Sequence, residues 1–331
     1  MADILVTEKI VGAGMDRLRE EFTVVEEPEL WRDPSRLQAL IPGYRALIVR
    51  NQTPVTAELI RAGTRLEVIG RAGVGLDNVD LEAASAAGIT VAFTPEQNSN
   101  SVAELVIGLI LALARKIPLA DRLTRAGGWD RPRLTGIEIS GRTLGLIGFG
   151  RIGALTAAKA RALGMEILAC DPQVDPESLR VLELRAEMVT LEELLARSDF
   201  VSCHLPETAA TRGLLDADRL ALLRPSAFFI NTARGGVVDE AALVAALEAG
   251  RIAGAALDVR RVEPPEPDRL NAALTALDNV ILLPHIGAFT AEGQRRVVTA
   301  VCGDVAAVLR GGAARYHANF SRPLKLEGGS R

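Results

Sequence analysis

The chain has 331 residues, 48% of them hydrophobic and 24% charged, with a formal net charge of −4. At about 150 residues per domain this length predicts two domains with sizeable cores. The slight negative charge offers no electrostatic basis for nucleic acid or a membrane surface as a partner.

The three cysteines, Cys170, Cys203 and Cys302, form no close pair and have no histidine at metal-ligand spacing. Neither a disulfide framework nor a metal site is expected, and a reducing, cytoplasmic setting fits this usage. The opening Met-Ala-Asp-Ile-Leu-Val reads as a strand rather than a signal peptide. The longest apolar run, Leu105 to Ala114, falls short of the ~20 residues that a bilayer span needs. Nearly all positive charge is arginine, so a single Arg in a loop signals little by itself.

In chain order, Ile4-Val6, Ala46-Val49, Val68-Ile69 and Thr90-Phe93 read as strands, with helices at Met15-Glu21, Ala57-Gly63 and Leu81-Ala87. Such alternation predicts a parallel sheet with helices on its faces. A long helix is expected over Val102 to Arg125, opened by a capping box of Ser101 and Glu104. A loop from Ala126 to Ile139 follows. A second series has strands at Thr143-Ile147, Glu166-Ala169, Phe200-Cys203, Ala227-Asn231, Gly254-Asp258 and Val280-Leu283, with helices between them and a last one over Ala291-Leu309. The tail beyond Gly311 is expected to be loose and its His317 exposed, with the Gly329-Ser330-Arg331 end disordered.

The strongest local signal is Gly148-Phe149-Gly150-Arg151-Ile152-Gly153, placed between a predicted strand and a predicted helix. Gly148 permits the tight turn, Gly150 admits a pyrophosphate to the backbone, and Gly153 lets the helix pack closely. The amides at the helix start, at Arg151 and Ile152, attract phosphate. Asp171 ends the next strand, about 20 residues on, where a carboxylate bonds ribose hydroxyls and repels a 2'-phosphate. Pro172 and Gln173 follow it, so no adjacent Arg invites that phosphate. The pattern selects NAD over NADP.

Two of the three histidines follow strands, at the sheet end where open parallel sheets place ligands. His204 is placed on the adenosine side. His285, in Leu283-Pro284-His285-Ile286-Gly287-Ala288, has small residues after it that leave room for a ligand. Glu263 and Arg234 also follow predicted strands. A carboxylate bonded to His285 would orient the ring and favour its protonated form for proton delivery. A guanidinium would grip carboxylate and carbonyl oxygens together. Their joint placement at one sheet edge predicts that the three side chains meet.

With these motifs in place the chain resembles the D-isomer-specific 2-hydroxyacid dehydrogenase family over roughly residues 45 to 310. The likeness is carried by Val49-Arg50, the run from Val68 to Asp80, Gly148 to Gly153, Asn231 to Glu240, Ala255 to Val259 and Pro284 to Ala288. The resemblance implies two doubly wound α/β parallel-sheet domains, a Rossmann-type NAD domain (99–286) inserted into a flavodoxin-like substrate domain (1–98 and 287–331). It implies Arg234, Glu263 and His285 as the catalytic set, with Thr232 and Asp258 near the nicotinamide. It implies that the Val74 and Gly75 amides bind a substrate carboxylate, that Arg50, Arg71 and Arg131 lie around a phosphate, and that the protein is a homodimer through the NAD domain.

The favoured substrate under that resemblance is D-3-phosphoglycerate. Three departures from the family pattern, Asn51-Gln52, Arg260-Arg261 and Phe289, leave glyoxylate, hydroxypyruvate or another anionic keto acid open. Two extra cations near Glu263 are expected to reshape the pocket. No regulatory domain follows, so no feedback site is expected. A different class, an NAD(H)-sensing corepressor-like binding protein, remains a remote alternative because such proteins share the same three residues.

Overall fold

The computed structural model describes residues 2–319. The chain divides into two compact units, Met1–Asn98 with Thr290–Arg331, and Ser99–Phe289.

The first unit holds a five-stranded parallel sheet of β1 (Ile4–Val6), β2 (Val24–Glu26), β3 (Ala46–Val49), β4 (Val68–Arg71) and β5 (Thr90–Ala92), in the order β2-β1-β3-β4-β5. This is the flavodoxin-like order. β1 and β3 are buried along their whole length, so they read as unbroken apolar runs rather than alternating ones. The C-terminal helix Ala291–Leu309 covers one face. Its Val297, Val298, Val301, Cys302, Val305 and Leu309 recur at helical spacing and join the core of β1, β3 and β4. Contact is close enough that a Cβ on Gly70 of β4 would sit 2.6 Å from Val305.

The second unit holds seven parallel strands: β6 (Thr143–Ile147), β7 (Glu166–Cys170), β8 (Glu187–Met188), β9 (Phe200–Cys203), β10 (Phe228–Asn231), β11 (Gly254–Leu257) and β12 (Val280–Leu282). Their order is β12-β11-β10-β9-β6-β7-β8, doubly wound, with the reversal between β6 and β9. Helix Ser99–Ala114 packs Val106, Leu109, Ile110 and Leu113 on one face of this sheet, against Leu144, Phe149 and Ala157. Each such large side chain, fully buried, contributes about 1.5–3 kcal/mol.

Several expectations need correction. The helix over Val102 to Arg125 is two helices, Ser99–Ala114 and Ile117–Arg125. They break at Lys116, whose φ of 52° is left-handed, and Pro118 lies in the first turn of the second. Ser101 sits inside the first helix rather than capping it, and Glu104 bonds the Asn100 amide nitrogen at 2.8 Å. A capping box is formed instead by Thr190 with Glu193. The segment after Gly311 is held on the sheet through residue 319: Ala318 N donates to Val91 O at 2.9 Å, and Asn319 Nδ2 to Ile89 O at 2.7 Å. His317, bridged to Ala92, is half-buried rather than exposed. Gly329-Ser330-Arg331 lie outside the described residues. β2 and β8 have three and two residues, too few for a periodic signal.

Candidate active site

The glycine turn follows β6 at the point where strand order reverses, beside the end of β9. Gly148 has φ 94°, which a side chain would strain, and a Cβ there would also press on the His204 carbonyl at 3.1 Å. At Gly153 a Cβ would stand 2.3 Å from the Gly148 carbonyl oxygen, so only glycine lets the helix start this close to the turn. A Cβ on Gly150, by contrast, would meet nothing within 4 Å. The helix Arg151–Ala162 has no side-chain cap, and its first backbone bond runs from Ala154 N to Gly150 O. The amides of Arg151, Ile152 and Gly153 therefore lie at an uncapped helix start.

Asp171 is tied to this turn. Its Oδ2 accepts from Phe149 N and its Oδ1 from Gln173 N, both at 2.9 Å. Each oxygen keeps a lone pair for a ribose hydroxyl. Burial pushes the His204 imidazole down to about 4, so the ring is neutral at physiological pH. Its Nε2 is buried without a partner, as is Thr232 Oγ1. An open glycine cradle, an uncapped helix start and orphaned polar atoms at the ends of β9 and β10 fit an NAD molecule along this edge.

Farther along the same edge lie the loops after β10, β11 and β12. His285 Nδ1 and Glu263 Oε2 are 2.6 Å apart. The other Glu263 oxygen, Oε1, accepts from Arg260 N at 2.9 Å. Burial pushes the Glu263 carboxyl up, but hydrogen bonds from His285 and the Arg260 amide, with the His285 and Arg234 charges, outweigh it. The carboxyl is held below the usual glutamate range, so Glu263 stays ionised and Nδ1 stays the donor. That leaves Nε2 as the nitrogen that can serve a substrate.

His285 has φ 57°, a left-handed backbone that costs a side-chain-bearing residue about 1–3 kcal/mol. Asp258 holds it there. Buried at 1% exposure, its Oδ1 accepts from Ile286 N and its Oδ2 from Gly287 N, each at 2.8 Å, while its carbonyl accepts from His285 N at 2.8 Å. Burial raises the Asp258 carboxyl above its ordinary range, although those amides and His285 pull it back. Arg234 is half-buried, and its Nη1 donates to Ala233 O at 2.7 Å. Asn231 sets this loop, accepting from Ala233 N at 3.0 Å and donating to Arg234 O at 2.9 Å. The cations expected near Glu263 divide: Arg260 is buried and turned to Glu240, while Arg261 is exposed.

In the first unit, Arg50 follows β3 and Arg71 ends β4. Arg50 Nη2 donates to Gln294 Oε1 at 2.7 Å, and burial lowers the guanidinium against the pull of Glu8. Sequence reading passed over Glu8. This buried carboxylate accepts from Arg50 N, Gln52 N, Thr53 N and Thr53 Oγ1, and so fixes the loop that carries Arg50. A buried acid just after a strand is the signal, since it must find local donors. Arg71 Nη1 occupies the place of a Cβ on Gly73. Val74 and Gly75 lie in the loop that follows, and among the described residues their amides donate to no acceptor. In the second unit, Arg131 is exposed in the loop after Ile117–Arg125, and no ion pair engages it among the described residues. Those residues also hold no cluster able to bind a metal ion, and no helix among them is long and apolar enough to cross a membrane.

Residues 107–287 match the family described as D-isomer specific 2-hydroxyacid dehydrogenase, NAD binding domain. A D-3-phosphoglycerate dehydrogenase of Archaeoglobus fulgidus is 42% identical over 317 residues, 96% of this chain and 59% of that protein. The chain thus spans well under two thirds of that relative's length. A hydroxypyruvate reductase of Thermotoga maritima is 46% identical over 279 residues, 84% of this chain and 88% of that protein. Among solved structures, D-lactate dehydrogenase from Aquifex aeolicus, complexed with NAD and lactic acid, superposes with a TM-score of 0.83 at 28% identity, covering 93% of this chain and 96% of that one. The seven-stranded unit with its glycine turn is an NAD-binding domain, and the chain belongs to the D-isomer-specific 2-hydroxyacid dehydrogenases.

Proposed function

We propose that the protein is an NAD-dependent D-2-hydroxyacid dehydrogenase that interconverts D-3-phosphoglycerate and 3-phosphohydroxypyruvate. The observation that carries the chemistry is the 2.6 Å contact of His285 Nδ1 with an ionised Glu263, on the sheet edge that also bears the glycine turn. Bound NADH would supply the hydride to the keto carbon. Arg234 would polarise the carbonyl by placing positive charge where the oxygen becomes negative. His285 Nε2 would deliver the proton to that oxygen, and Glu263 would steady the imidazolium through Nδ1. Gly148, Gly150, Arg151, Ile152, Gly153 and Asp171 would hold the dinucleotide, with His204, Thr232 and Asp258 along the edge towards the nicotinamide. The family resemblance assigns the substrate carboxylate to the Val74 and Gly75 amides and its phosphate to Arg50, Arg71 and Arg131.

The second reading keeps the reaction and changes the substrate to hydroxypyruvate or glyoxylate. The relative named hydroxypyruvate reductase supports it, as does Phe289, a bulky and exposed ring four residues from His285. Turnover measured by loss of NADH absorbance over a panel of keto acids separates the two. Highest kcat/KM for phosphohydroxypyruvate supports the first; turnover of hydroxypyruvate or glyoxylate without it sinks the first and leaves the second. The third reading, a corepressor-like NADH sensor, predicts no turnover with any keto acid and peptide binding that depends on NADH.

We further propose a homodimer through the NAD domain, in keeping with helix Ile117–Arg125, which buries none of its residues, and with exposed Ile117 and Trp129. Sedimentation showing a monomer at micromolar concentration rejects it. Three free thiols support a cytoplasmic setting, which fractionation of the source cells tests.

A further inference from the structure

Arg260 lies three residues before Glu263 in the loop after β11, and the structure gives its side chain a definite place. It is one of the few buried charges in the second unit, at 9% exposure. Its Nε donates to Glu240 Oε1 at 3.3 Å and its Nη1 to Asn271 Oδ1 at 3.3 Å. The same Glu240 oxygen accepts from Arg261 N at 2.6 Å. Both side chains of the ion pair are nearly closed to water, at 8% and 11% exposure. The backbone of Arg260 does a second task, since its amide donates to Glu263 Oε1 at 2.9 Å. Glu263 then holds His285 Nδ1 through its other oxygen. The loop also touches the Arg234 turn: a Cβ on Gly235 would sit 2.0 Å from the Arg260 carbonyl carbon.

A buried ion pair contributes little net stability over a well-packed apolar pair of the same volume, because desolvation consumes most of the attraction. What such a pair does give is one defined arrangement, since any other leaves a charge buried alone. Here the arrangement in question is that of the backbone amide that seats Glu263. We propose that Glu240 and Arg260 form an internal clamp, and that both are positioning residues that hold Glu263, and through it the His285 ring, in register for proton transfer. The clamp acts through backbone: helix Glu240–Glu248 offers Glu240 at its first residue, Glu240 grips the Arg260 side chain and the Arg261 amide, and the Arg260 amide is thereby aimed at Glu263.

This inference rests on the assignment of Glu263 and His285 as the proton-transfer pair, so the experiment carries a control for that assignment. Steady-state kinetics with NADH and the best keto acid of the panel are measured for wild type, His285→Asn, Arg260→Met, Arg260→Lys and the paired exchange Glu240→Leu with Arg260→Met. NADH affinity is read separately by fluorescence, and all assays run well below each variant's Tm. Arg260→Met is expected to lower kcat about ten- to a hundredfold, the scale of a small misplacement of a catalytic group, while NADH affinity stays within about twofold. Arg260→Lys, which keeps a charge for Glu240, is expected to recover part of that loss. The paired exchange removes both buried charges, is expected to fold even where the single variant does not, and is expected to keep the kcat defect. Wild-type kcat in the paired exchange, or NADH affinity that falls in step with kcat, overturns the clamp. If His285→Asn abolishes turnover while the paired exchange does not, the clamp alone fails. If His285→Asn keeps turnover, the underlying assignment fails with it.

Discussion

The two ends of the seven-stranded sheet's ligand edge are built on opposite principles. At β6 and β9 the work is done by backbone: glycines that leave room, an uncapped helix start, and one acid, Asp171, bonded to the turn it serves. At β10 to β12 it is done by side chains, each held by a second side chain that touches no substrate in the proposed reading. Asn231 sets the Arg234 loop, Asp258 sets the His285 turn, and Glu263 reaches His285 from a loop braced by Glu240. The difference follows from the tasks. A pyrophosphate carries fixed charge and needs only donors at a surface. Proton transfer needs a ring with one nitrogen committed and the other aimed, and that requires a frame.

If the division is real, damage at the side-chain end should spare cofactor binding, and the largest effect should come from His285 itself. His285→Asn is the suitable variant, because asparagine tolerates the left-handed backbone that alanine resists. Turnover is expected to fall about 10²–10⁴-fold, the range for loss of a general acid, with NADH affinity nearly unchanged. Equal loss of both would merge the two ends into one site and break the comparison.

Next in size is Asp258→Ala. It strips two amide donors of a buried carboxylate and releases a strained turn. Hydrogen bonds to a charged group contribute about 1.5–3 kcal/mol each, but burial of this carboxyl opposes its ionised form, so a net loss of about 2–4 kcal/mol is expected in urea unfolding. Turnover should fall with it, and by more than NADH affinity does, because Asp258 also stands on the edge towards the nicotinamide. Unchanged stability would show that the turn holds itself.

The same division explains which parts of the site are legible in the sequence. Backbone sites leave glycines at fixed offsets, so the turn at Gly148 to Gly153 and the acid at Asp171 were legible, as was the alternation of strands and helices. The types Arg234, Glu263 and His285 were legible from their place after predicted strands. Their supports were not, because Asp258, Asn231 and Glu240 lie far in sequence from what they hold or bond backbone, which no spacing reports. Arg260 shows the limit best. Its charge beside Glu263 in sequence suggested a pocket cation, yet its side chain is drawn into the buried pair with Glu240. The broken helix at Lys116 is a different kind of miss: Pro118 is the visible signal of the break, since proline suits the first turn of a new helix and not the interior of a continuous one.

On the backbone side, Asp171→Ala should weaken NAD about tenfold and narrow the preference over NADP, with kcat at saturating cofactor changed less than at any residue above. Isothermal titration with both dinucleotides measures it. A fall in kcat as large as that of His285→Asn would mean that the acid's bonds to Phe149 and Gln173 transmit to the chemistry.

The smallest effect separates charge from geometry at Glu263. Its folded carboxyl titrates below the usual glutamate range, so folding favours the ionised form. The sign follows from linkage: stability from this group is fully present above its unfolded value near 4.5 and is lost as pH falls through the lower folded value. Glu263→Gln keeps much of the shape and removes the charge. The Tm difference between wild type and Glu263→Gln should therefore shrink on acidification below about 4.5, where the unfolded carboxyl starts to take up its proton. A difference that stays constant into that range would mean that Glu263 supports the loop by packing and neutral hydrogen bonds. The frame around His285 would then resemble the backbone end of the sheet more than the comparison allows.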